Sequence, residues 1–223
     1  MSAKRQNILN DESGAAYVEF TAAAFTFFII LFGVIEFTNV FYQWNAAAKA
    51  TQWGARLAAV SAPVASNLTS LKGTEAGALP GAAMPNFDCV CSGVGSGTCT
   101  GSVPANAAVC TYSATNMDIL VYGRGNDGTH SCNVTGANIG MCTLFSRITP
   151  QNVVVRYQYT GLGYAGRPAG FNQTGAPVPT ITVSITGLTY DFILVGALAG
   201  IGSMTLPSFA TTVTGEDLNG AGD

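Results

Sequence analysis

Gly14-Ala15-Ala16-Tyr17-Val18-Glu19-Phe20 sets a lone carboxylate at the head of a long apolar run. From Phe20 to Ile35 sixteen residues pass without a charge, and apolar character continues at Phe37, Val40, Phe41 and Tyr42. A membrane-spanning helix needs about 20 apolar residues at a rise of ~1.5 Å each. Glu19 to Glu36 covers roughly 25 Å at that rise, so the two acids bracket a hydrocarbon layer and the stretch reads as one spanning helix. A carboxylate inside such a segment is costly and marks function by default, which singles out Glu19. An ordinary secretory signal has a shorter apolar region with its cut behind it. Here the small-residue cut lies ahead of the run, after Gly14, so the apolar helix stays on the mature chain as anchor and assembly surface.

The helical pattern continues outward. Trp44 to Val60, WNAAAKATQWGARLAAV, carries a polar stripe at Asn45, Lys49, Gln52 and Arg56, spaced i, i+4, i+7, i+11. Tyr42 and Trp44 suit an interfacial aromatic belt, and Trp53 suits packing. Within the apolar run, Phe25, Phe28, Ile29, Phe32 and Ile35 fall at helical spacing and read as one contact face, while Ala22, Ala23, Ala24 and Gly33 permit close approach of neighbouring helices. Lys4 and Arg5 favour a cytoplasmic N-terminus, with Lys49 and Arg56 beyond the helix as the counterweight.

Only 9% of the residues are charged, nine Lys and Arg against twelve Asp and Glu, so no basic patch is available and nucleic acid is not expected as a partner. After residue 60, Gly, Ala, Thr, Ser and Asn dominate, which points to a turn-rich β domain. The expected organisation is a leader at 1–14, a helix at 15–60, a linker at 61–85, and an exported β-rich domain at 86–223 with a cysteine-rich insert at 89–142. Asn152 to Tyr159 and Thr180 to Thr186 alternate apolar and polar residues as half-buried strands, with Phe209 to Thr214 as a third strand and Met117 to Tyr122 as a strand in the insert. The uncharged run Phe192 to Leu206 is short for a bilayer and stopped by Pro207, so it reads as a buried helix or loop under the sheet. The expected fold class is α+β and pilin-like: a long transmembrane helix packed on a small antiparallel sheet, with a disulfide-rich loop insert.

Cys89, Cys91, Cys99, Cys110, Cys132 and Cys142 all lie in one stretch. An even number clustered outside a membrane reads as a disulfide framework. Many pairings are possible, but Cys89 and Cys91 are too close in sequence to bond each other and each reaches a different partner. Zinc is the weaker reading, because paired C-x-x-C elements are missing and His130 is the single histidine. No metal or other cofactor is expected. His130 reads as a loop residue after Asp127-Gly128-Thr129, and with so few acids and one histidine no catalytic constellation is expected; the chain reads as a non-enzyme. Gly161-Leu162-Gly163-Tyr164-Ala165-Gly166 spells G-x-G-x-x-G, but Arg167-Pro168-Ala169-Gly170 does not open a helix behind it, so a loop is expected instead of a dinucleotide site. The sequons at Asn67, Asn133 and Asn172 would matter only in a eukaryotic secretory pathway.

The ordered combination of GAAYVEF at 14–20, the apolar segment closing with Phe32-Gly33-Val34-Ile35-Glu36-Phe37, and the Ala-rich Trp53-Gly54-Ala55-Arg56 resembles the TadE-like family of pilus-assembly proteins. The resemblance covers about Gly14 to Val60. It implies a minor pseudopilin of a tight-adherence (Flp-type) system, cut by a prepilin peptidase between Gly14 and Ala15. Glu19 is then the fifth mature residue, poised beside Phe20 to meet the freed amine of its own or a neighbouring subunit. The implied partners are that peptidase, other pilin and pseudopilin subunits, the inner-membrane platform and membrane lipid. The implied location is the bacterial inner membrane, with the C-terminal domain periplasmic. Asp11 and Glu12 depart from the basic leaders of such proteins. The alternative is an uncleaved single-pass envelope protein whose exported domain binds a partner or surface.

Overall fold

The computed structural model describes residues 12–103, 110–125, 130–132, 138–166, 178–193, 196, 200 and 202–215. Lys4, Arg5 and Asp11 of the leader, Arg167 to Gly170, the sequons at Asn133 and Asn172, and Asp127 to Thr129 lie outside these residues. The fold is α+β: a long N-terminal apolar helix, α1 (Glu12–Ala59), and a small antiparallel sheet. The chain forms two compact units, one of residues 1–42 with 189–204, the other of residues 43–188 with 205–223.

The larger unit is built on five strands, β1 (Asp88–Ser92), β2 (Thr98–Ser102), β3 (Val153–Gln158), β4 (Thr180–Ile185) and β7 (Phe209–Thr214), in the order β2-β1-β3-β4-β7 with every neighbour antiparallel. The period-2 alternation of side chains across a strand makes one face of this sheet the core. In register, Cys89 faces Tyr157 and Tyr157 faces Ile181; Cys91 faces Val155 and Val155 faces Val183. All of these are buried, with Val153 and Ile185 completing the face. The alternation expected in β3 and β4 is therefore present, and β7 pairs with β4 as the expected third strand.

Within this unit, the last turns of α1 bury a stripe of small residues, Ala47, Ala50, Thr51, Gly54, Ala55 and Ala58. Asn45, Lys49, Gln52 and Arg56 face outward, as their spacing requires. Small size is needed there: a methyl group on Gly54 would stand 2.5 Å from Met141 Sδ. The Trp44 ring meets Phe209 of β7 edge to face at 5.1 Å, and the Trp53 indole N–H donates to the Ile139 carbonyl at 2.9 Å. Trp53 thus packs, while Trp44 touches Phe209 and keeps 39% of its surface exposed. The stretch 61–85 carries two short 3₁₀ turns and buries Val64, Ala65, Leu68 and Leu71. The Val64 amide donates to the phenol oxygen of the fully buried Tyr157 at 2.9 Å.

The reading of Met117 to Tyr122 as a strand is corrected, since this segment belongs to a helix, α2 (Ala114–Tyr122). Ser113 caps it by accepting the Asn116 amide, and Met117, Leu120 and Val121 bury one helical face at i, i+3, i+4. Gly123, with φ of 95°, ends it. A second correction concerns the cysteines. Cys89, Cys91 and Cys99 sit on β1 and β2, so they belong to the sheet itself. The three disulfides are Cys89–Cys110, Cys91–Cys99 and Cys132–Cys142. Cys89 and Cys91 do reach different partners, because β1 pairs with β2 in a register that sets Cys91 directly opposite Cys99. Cys142 lies on the short helix α3 (Met141–Leu144).

The run Phe192 to Leu206, read as a buried helix or loop, follows β5 (Thr189–Asp191) and contains β6 (Ser203–Thr205), and these two strands pair as a ribbon. The Phe192 amide donates to the Gly202 carbonyl at 3.2 Å. Ile193 is 78% exposed rather than buried. Positions 194–195, 197–199 and 201 of this run lie outside the described residues.

Candidate membrane and assembly segment

The bond between Gly14 and Ala15 lies within α1. Gly14 to Phe20 are all exposed, Tyr17 at 77% and Phe20 at 73%, and a side chain added at Gly14 would meet nothing. Glu19 is exposed four residues beyond Ala15. That spacing puts the two on one helix face, about 5–6 Å apart between Cβ atoms.

The body of the segment has a mean hydropathy of 2.2 over its most apolar 18-residue window, and none of that window is buried. Among the described residues this is the one helix long and apolar enough to cross a membrane. Its threonine hydroxyls are satisfied within the helix. The hydroxyls of Thr21, Thr26 and Thr38 donate to the carbonyls of Tyr17, Ala22 and Val34, one turn back. In hydrocarbon, where unpaired polar groups cost several kcal/mol, such self-satisfaction is what a spanning helix requires.

The expected contact face of Phe25, Phe28, Ile29, Phe32 and Ile35 is exposed, with Phe28 and Phe32 stacked at 6.0 Å. Other sides of the helix are equally bare and apolar: Phe27 is 60% exposed and Ile30 62%. A helix apolar all round has no preferred face of its own.

Sequence reasoning assigned Glu36 to the far edge of the hydrocarbon and missed its partner. Glu36 is only 6% exposed, and its Oε1 accepts the backbone N–H of Ile193 at 2.6 Å. Beside it, Phe37 meets Phe192 at 6.2 Å and Phe192 meets Tyr190 at 5.1 Å, both edge to face. The signal available in sequence was an acid embedded between apolar residues; the partner lies more than 150 residues away, beyond the reach of any local pattern. Glu36 and Phe37 therefore tie the segment that follows β5 to this turn of α1.

Among the described residues no three of His, Cys, Asp and Glu converge as metal ligands. His130 sits at a positive φ of 52° with its Nε2 3.2 Å from Asp118 Oδ2, and every cysteine is committed to a disulfide. Gly161 to Gly166 form bends and a bridge between Ala83 and Tyr164, with no helix in the described part of the segment.

No curated protein and no solved structure matches the chain. Residues 14–56 match the family model of TadE-like protein, the same family that the N-terminal motifs resemble and a span that holds Gly14, Ala15, Glu19 and Glu36 together.

Proposed function

We propose that this chain is a pilus-assembly protein, specifically a minor pilin-like subunit of a tight-adherence system that is cut after Gly14 and acts by helix packing. The observation that carries the reading is a bare apolar helix whose exposed GAAYVEF motif lies within the TadE-like match. Cleavage creates an ammonium group at Ala15. A carboxylate one turn away, at the edge of a low-dielectric layer, lowers the desolvation cost of both groups when they pair, within one subunit or between neighbours. Phe20 and the rings that follow then enter a bundle of similar helices. The partners in this reading are a prepilin peptidase, other pilin and pseudopilin subunits, the inner-membrane platform and lipid. The helix is anchored in the inner membrane with its N-terminus cytoplasmic, the sheet domain is periplasmic, and the subunit performs no catalysis.

Peptide mass mapping of the N-terminus in protein extracted from host membranes tests this directly. A chain starting at Ala15 supports processing. A chain retaining Met1 to Gly14 overturns it in favour of an uncleaved envelope protein, the reading that Asp11 and Glu12 beside the cut would suit. In a processed chain, Glu19→Ala should leave export intact and impair assembly; normal piliation in that strain would sink the pairing role.

A further inference from the structure

A cleft of about 480 Å³ opens beside α2, with Tyr112, Asp118, Tyr122, His130, Ser96 and Gln151 among the residues that line it. Its volume falls in the range of small-molecule sites. The cleft is constructed rather than incidental. Gly97, at a φ of 81°, lies so close to the Tyr112 ring that any side chain there would collide with it, so the 93–97 loop closes over one edge of that ring. Tyr122 stands edge to face with the His130 imidazole at 5.3 Å, and that imidazole is held 3.2 Å from Asp118.

The hydrogen-bonding ends in this cleft are unspent. Among the described residues, the phenols of Tyr112 and Tyr122, the Ser96 hydroxyl and the Gln151 amide have no partner in the chain. Both phenols are held above the ordinary range, first by partial burial and then by the nearby Asp118 carboxylate, so they stay protonated and able to donate. Tyr112 and Tyr122 are half-buried while Ser96 and Gln151 are exposed, so all four polar ends are open to water or to a ligand.

The chemistry of the set selects among ligands. Phosphate or carboxylate only accepts and asks for Lys or Arg, and neither lines the cleft. An ammonium only donates and asks for acceptors; the one carboxylate of the lining, Asp118, already faces His130 at 3.2 Å, whereas the phenols, a hydroxyl and an amide offer donors and acceptors together. A sugar hydroxyl both donates and accepts, and the C–H face of a pyranose ring matches the apolar surface of a tyrosine. We propose that this cleft is a binding site for a neutral saccharide, with Tyr112 and Tyr122 as ring platforms and hydroxyl partners, and Asp118 and Gln151 fixing the sugar's orientation. The site stands whether or not the leader is cleaved.

The test is saturation-transfer NMR on the full chain in lipid nanodiscs, with glucose, galactose and N-acetylglucosamine as probes and tetramethylammonium and inorganic phosphate as comparators. Expected is saturable transfer to the ring protons of at least one sugar, weakened about three- to tenfold by Tyr122→Phe and by Asp118→Asn. Gln151→Ala, at an exposed position, should weaken it similarly. Non-reducing mass mapping of the three disulfides checks that each variant is folded. Absence of transfer to every sugar overturns the proposal, as does tetramethylammonium or phosphate binding in their place, or sugar binding indifferent to Gln151→Ala in a folded variant.

Discussion

Replacing Tyr157 by Phe removes one oxygen from the middle of the sheet core and leaves everything else in place. The side chain is fully buried between Cys89 and Ile181 in register, and its oxygen accepts the amide of Val64, itself fully buried. Phe fills the same volume, so no cavity forms. The Val64 N–H is left without a partner or water, which costs about 1–3 kcal/mol. Acting alone, that would make the variant less stable at neutral pH by this amount. A pH dependence accompanies it. Burial, offset in part by the Val64 bond, pushes the Tyr157 phenol well above its usual 10.0. With the folded pKa above the unfolded one, the unfolded chain releases its proton first, so the contribution is whole below pH 10 and falls as pH rises past it. The loss is about 1.4 kcal/mol per pH unit. The Phe variant has no such proton, so its deficit relative to the parent should shrink above pH 10 at that slope. Guanidinium unfolding of the solubilised chain, followed by circular dichroism at neutral pH and at two alkaline values, measures both effects. Equal stability of the two proteins at neutral pH would refute the bond's role, and a deficit that does not change with alkaline pH would refute the linkage.

Glu36→Ala should free the Ile193 amide, raising its hydrogen-exchange rate roughly tenfold or more, while Glu36→Gln, which keeps an acceptor, should retain most of the protection; unchanged exchange in the Ala variant would contradict that tie. The disulfides differ in the chain they close: by loop entropy, losing Cys89–Cys110 (separation 21) should cost about 3.4 kcal/mol and losing Cys91–Cys99 (separation 8) about 2.6 kcal/mol. Paired Cys→Ser variants in the same unfolding assay check that order, and alkylation of native, unreduced protein should label no thiol. Gly101→Ala should destabilise the β1–β2 pair by about 1–3 kcal/mol, because Gly101 holds a φ of 143° and a methyl there would strike the Asp88 carbonyl; a neutral melting temperature would contradict the close approach.

What was legible in the chain is what repeats locally. The uncharged run from Phe20 to Ile35 predicts a long apolar helix, and the stripe Asn45, Lys49, Gln52, Arg56 predicts which side of α1 faces outward, because such a stripe depends only on the local 3.6-residue period. The alternation in β3 and β4 was readable for the same reason. Met117 to Tyr122 was misread because a short apolar run suits either element; its Ser113 cap and its i, i+3, i+4 face were the signals that decide it. The cysteine cluster announced disulfides but not their pairs, since Cys91 finds Cys99 only through the register of β1 on β2.

By itself, then, the sequence determined the apolar helix, its entrance motif, the two central strands and the presence of a cysteine framework. Tertiary structure decided that Glu36 binds Ile193, that Tyr157 satisfies Val64, and that Tyr112, Asp118, Tyr122 and His130 share one cleft. The physical reason is range. Helix and strand periods are set by neighbouring residues along the backbone, whereas a buried polar group takes whichever partner the packed chain brings within about 3 Å, and that partner can lie anywhere in the sequence.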